Sequence, residues 1–97
     1  MLSTLGPDGS ARLREAPERL REVSAEVERM GVKVLQQFAL LGQWDFLNIL
    51  EAPDATTIAK VATTLAARGT LKTTTFEAIE IDDLIAALEE TDERAPW

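Results

Sequence analysis

The sequence predicts an α+β domain: a four-stranded antiparallel sheet with helices on one face. Three observations lead there. The chain has 97 residues, room for a single domain, and such a domain buries roughly 60–70% of its unfolded surface around one core. Its centre, Val32 to Asp54 (VKVLQQFALLGQWDFLNILEAPD), reads as two strands joined at Gly42-Gln43 and closed by a helix start at Asp54. Helical periodicities flank this hairpin, and β-type stretches lie beyond them.

Met1 to Leu5 reads as a short strand ending at Gly6-Pro7, where Gly-Pro and Asp-Gly supply turn chemistry. From about Ser10 to Met30, Leu13, Ala16, Leu20, Val23, Val27 and Met30 recur at spacings of three or four, an amphipathic helix with a charged outer face. Pro17 either kinks that helix or opens its main part, since a first-turn position tolerates a missing N–H. Gly31 is a suitable stop. After the hairpin, Asp54 caps a second helix whose buried stripe is Ala55, Ile58, Ala59, Ala62, Leu65 and Ala66, ended by Gly69. Leu71 to Glu80 is rich in β-branched and aromatic residues and free of Gly and Pro, which predicts a strand. Ile81, Leu84, Ile85 and Leu88 form an i, i+3, i+4, i+7 set on a short terminal helix, with Asp82 and Asp83 suited to its N-terminal dipole. The domain therefore spans 1–90, and 91–97 is an acidic tail. The order β-α-β-β-α-β plus a terminal helix is the ferredoxin-like pattern.

A two-residue turn at Gly42-Gln43 pairs Leu41 with Trp44, Ala39 with Phe46, Gln37 with Asn48 and Leu35 with Leu50, all on one face. Val32, Val34, Gln36, Phe38 and Leu40 then occupy the other, with Asp45, Leu47, Ile49 and Glu51 opposite. Both faces are largely apolar, whereas a sheet with one wet face alternates apolar with polar. Helices cover one face. The other, taken to be the Gln37–Asn48 face, is expected to be covered by a second copy, so the chain is expected to be a homodimer or higher homo-oligomer.

The formal charge of −7 argues against nucleic-acid binding, which needs Lys and Arg to displace phosphate counterions, and against an anionic membrane surface. Apolar runs fall far short of the ~20 residues of a membrane span, and no signal-peptide pattern opens the chain, so a cytoplasmic location is expected. There is no Cys and no His. That removes disulfides, zinc-thiolate sites, thiol nucleophiles and the usual general base and metal ligand. A metal would need an oxygen-only cluster, and no spacing among Glu51, Asp54, Glu77, Glu80, Asp82 and Asp83 resembles a calcium loop. No cofactor and no metal are expected.

Four short motifs, Ala16-Pro17-Glu18-Arg19, Leu41-Gly42-Gln43-Trp44-Asp45-Phe46, Glu51-Ala52-Pro53-Asp54 and Gly69-Thr70-Leu71-Lys72-Thr73, occur in an order that resembles the GYD domain family. These are small bacterial and archaeal proteins named for a Gly-x-Tyr-Asp motif. Trp44 stands where that family has Tyr, so a mechanism needing a phenol there does not carry over. The first strand is also shorter than the family's. The resemblance implies a dimeric α+β barrel assembly, a group that includes cofactor-free monooxygenases, isomerases and ligand-sensing domains. It supplies fold and assembly rather than chemistry.

The candidate site residues are Gln37, Trp44, Asp45, Phe46, Asn48 and Lys72. Gln37 and Asn48 admit two readings: a cross-strand hydrogen bond fixing register at an interface, or a pocket in which the amides orient a small ligand. Trp44 is an interface anchor or a stacking wall. Asp45 caps a loop N–H or pairs with a cation, and acts as a base only if burial raises its pKa. Lys72 lines a pocket or lies solvated on its strand. Functionally, the sequence favours binding or sensing of a small organic ligand at an inter-subunit sheet face. The alternatives are a cofactor-free monooxygenase or isomerase and a purely structural oligomerisation module.

Overall fold

The computed structural model describes residues 1–6, 9–69 and 71–90; the expected tail at 91–97 and the Pro7-Asp8 part of the first turn lie outside them. The order is β1 (Leu2–Leu5), α1 (Gly9–Glu15), α2 (Arg19–Arg29), β2 (Lys33–Ala39), β3 (Phe46–Glu51), α3 (Ala55–Ala67), β4 (Leu71–Thr74) and α4 (Ile81–Glu89). The four strands form one antiparallel sheet in the order β2-β3-β1-β4. This is the predicted α+β architecture, with the first crossover helix divided in two.

That division falls at Pro17. Ala16 N–H still bonds back to Arg12, but Arg19 N–H reaches Ala16 in a tight turn before α2 begins. Proline lacks the N–H that a continuous helix would need and crowds the preceding turn. At α3, Asp54 is the N-cap as expected, accepting the N–H and the hydroxyl of Thr57, each at 2.7 Å. The Thr57 hydroxyl, and then its N–H, hold the Asp54 carboxyl below its usual range.

The core is small. Val27 of α2, Val32 ahead of β2, and Val61 and Leu65 of α3 are its buried apolar side chains among the described residues. Met1, Val23, Met30, Val34, Leu50 and Ile58 close around them. The stripe predicted for α3 needs correcting. Ile58, Val61 and Leu65 face inward while Ala55, Ala59 and Ala66 are exposed, because the larger β-branched and leucine side chains gain more from leaving water than alanine does.

The hairpin departs from the expected register at both ends. Ala39 faces Phe46 and Gln37 faces Asn48 as predicted, but the register shifts by one residue between Val34 and Gln36, so Val34, not Leu35, opposes Leu50. A bulge of this kind breaks strict alternation. Val34 and Gln37, three apart, can then both point toward the helices. The turn is also wider than two residues: the strands stop at Ala39 and Phe46, Leu40 N–H donates to the Asp45 carbonyl at 2.8 Å, and Leu41 is fully exposed rather than paired with Trp44. Gly42 has a φ of 125°, a region that side chains with a Cβ avoid.

The predicted last strand is shortened. Only Leu71–Thr74 joins the sheet, against β1, and residues 75–80 run on without a strand partner into α4. Every residue from 75 to 90 is exposed. The extents are 60 × 29 × 20 Å and the radius of gyration is 17.2 Å, against about 12.5 Å for a compact domain of this length. In the C-terminal arm, residues 75–78 border a hollow of about 560 Å³ beside Ile49, Leu50 and Ile58, and beyond them α4 projects with no buried residue.

Candidate functional site

The helices lie under the Gln37–Asn48 face, not the opposite one. Gln37 Nε2 donates to Ser24 Oγ of α2 at 2.8 Å, and Ser24 Oγ donates in turn to the Leu20 carbonyl at 3.0 Å. The expectation that this face is bare is corrected. Either face of the hairpin was apolar enough to go inward, and Ser24, one turn beyond Leu20, offers the amide a partner that the strand pattern could not reveal. The bond that Gln37 makes is therefore to a helix and not across to Asn48. Gln37→Leu should cost about 0.5–1.5 kcal/mol, the net worth of an ordinary hydrogen bond, since this one is exposed and water can serve Ser24 once the amide is gone. In a urea-melt cycle with Ser24→Ala, the double mutant should lose less than the sum of the singles; additive losses would remove the coupling.

Asp45 has a structural role of the predicted capping kind. Its Oδ2 accepts the Leu5 N–H at 2.8 Å, its own N–H donates to the Ser3 carbonyl at 2.9 Å, and its carbonyl holds Leu40. It thus ties the end of the hairpin loop to β1. Trp44 is half-buried in that loop. Asn48 exchanges backbone bonds with Met1, at 2.8 and 2.9 Å.

Between α2 and the sheet lies a hollow of about 210 Å³, which brings Gln37, Phe46 and Asn48 together with Ser3, Val23 and Leu71. Trp44, Asp45 and Lys72 do not line it. It is smaller than the several hundred Å³ typical of ligand sites. Lys72 is exposed on β4, opposite Thr4 and directed away from the helices, because its neighbours Leu71 and Thr73 face them.

A larger hollow, about 510 Å³, opens between α1, α2 and the ends of β1 and β4, lined by Leu5, Leu13 and Leu71, by Arg12, Arg19 and Arg29, and by Glu22. Arg68 also lines it but forms an ion pair with Glu26. Helical periodicity alone assigns these arginines to a charged outer face. They come from separate segments, and only the folded chain gathers them. Among the described residues no group of three or more carboxylates could hold a metal, and no helix is long and apolar enough to cross a membrane.

Among the described residues no helix lies on the outer face of the sheet. Alternation from Gln37, Asn48 and Leu50, which face inward, turns Gln36, Phe38, Leu47 and Ile49 outward. Leu35 at the bulge is 53% exposed, Phe38 47% and Ile49 38%. This apolar strip occupies the β2–β3 half of the sheet, with Lys33 and Lys72 exposed on the two edge strands.

The chain is 52% identical over 89 residues to a Thermus thermophilus protein described as "Glutamine synthetase and cystathionine beta-lyase binding protein", a match spanning 91% of this chain and 94% of the relative. No solved structure matches. The GYD domain pattern matches residues 1–88, which takes in the hairpin, its Asp45 clamp and both crossovers, and the chain belongs to the GYD domain family.

Proposed function

We propose that this chain is a protein-binding module that works as a homo-oligomer, with the outer face of its sheet covered by a second copy. The observation that carries the reading is the relative's description as a protein that binds two enzymes, at 52% identity over nearly the full length of both chains. The bare strip of Leu35, Phe38 and Ile49, together with the exposed apolar side chains of the arm, supports it. Contiguous exposed apolar surface on a small protein is the mark of an interaction site. Binding to the Thermus thermophilus glutamine synthetase and cystathionine beta-lyase, measured by titration calorimetry, tests the client side. Heat of binding with either enzyme is expected, and silence with both would refute it. Sedimentation tests the assembly side, where a stable monomer at micromolar concentration would refute it.

A second reading, small-ligand binding, is favoured by the 510 Å³ hollow, where leucines stand beside arginines that outnumber carboxylates four to two, a lining that suits an anionic organic molecule. It lies between helices and sheet, not on the inter-subunit face where the amides were expected to act. Native mass spectrometry of freshly purified protein distinguishes the readings by the presence or absence of a co-purifying small molecule.

A further inference from the structure

We infer that the C-terminal arm crosses between two copies, with α4 of one lying along the outer β2–β3 strip of the other. The inference rests on the self-association proposed above and names the element that makes the contact. Phe76, Ile79, Ile81, Leu84, Ile85 and Leu88 are between 45% and 67% exposed, although all six are large and apolar. The last four share one side of α4 by their spacing, a stripe that a helix keeps only when something covers it. Among the described residues none covers it, and α4 has no buried residue.

The receiving strip matches that stripe in chemistry and size. Leu35 and Phe38 on β2 and Ile49 on β3 are the exposed apolar side chains of the sheet itself. A nine-residue helix is about 13 Å long, and Leu35 to Phe38 spans about 10 Å of strand, so one α4 covers the strip. Charge sets no preference here: α4 carries Asp82, Asp83 and Glu89 and no cation in its last turn, while on the receiving strip Lys33 is offset by Glu51, its register partner. Numbers favour a second copy over a foreign partner. Each chain carries one arm and one strip, so a two-fold pair buries both arms and both strips in one isologous contact. A single foreign chain has no reason to match both.

The chain contains no cysteine, which makes a full-length cross-linking test clean. Leu88→Cys and Leu35→Cys proteins, one carrying a mass tag, are mixed and oxidised. The mixed disulfide is expected to dominate over either homodimer. Ile85→Asp is expected to weaken the dimer at least about tenfold in sedimentation, on the scale of an interface anchor, with the urea midpoint of the monomer unchanged. A dimer insensitive to Ile85→Asp that gives only Leu35→Cys homodimers would mean sheet packing on sheet; the arm inference falls and self-association stands. A disulfide closing within one chain of the doubly substituted protein would place the arm on its own sheet and overturn the inference. A wild-type monomer would overturn both.

Discussion

Leu65→Ala should destabilise the domain by about 2–5 kcal/mol, the cost of losing a buried leucine together with the cavity it leaves. Leu65 is 4% exposed and packs with Val27, Val32 and Val61, which are 5%, 1% and 0% exposed. Those four side chains bring α2, α3 and the residue ahead of β2 together, and they are the buried apolar cluster of the described residues. Small domains have only about 5–15 kcal/mol in total. The variant should therefore be largely unfolded in urea concentrations that leave the parent intact, with the denaturant slope unchanged. Alanine at the half-buried Ile58, which lies beside the same cluster, should cost less. A loss at Leu65 below about 1 kcal/mol would mean that the four-residue cluster is not the structural centre.

Asp45→Ala should be the most damaging change at the hairpin. The carboxylate accepts the N–H of Leu5 from 40 residues away, and it does so half-buried. Hydrogen bonds to a charged acceptor contribute about 1.5–3 kcal/mol, and alanine leaves the Leu5 donor without that partner. Asp45→Asn keeps an acceptor oxygen and should recover part of the loss. The backbone bonds of Asp45 to Ser3 and Leu40 survive in both variants, so the difference between them isolates the carboxylate. Equal urea midpoints for the alanine variant and the parent would rule out the clamp. Asp45 would then need another reason for its place.

Much of the secondary structure was legible because it rests on local chemistry. Pro17, Gly31, Asp54 and Gly69 act on their immediate neighbours: the first breaks a helix, the glycines follow helix ends at φ of 96° and 72°, and Asp54 caps with its own carboxylate. The central pairing of Gln37 with Asn48 followed from period-two spacing around Gly42. The capping role of Asp45 could also be named, though not the strand it would hold.

What the sequence left open was which apolar face goes inward. Both faces of the hairpin carry enough hydrophobic side chains to pack on helices, so alternation alone could not choose. The choice was made by the bulge between Val34 and Gln36 and by Ser24, a helix residue 13 positions from Gln37. Likewise, residues 75–80 have the composition of a strand, yet a strand exists only where a neighbour offers its backbone, and β1 stands beside residues 71–74 alone. The arginine-lined hollow and the projecting arm are of the same kind: both arise from where separate segments come to lie, a property of the packed chain that no single stretch encodes.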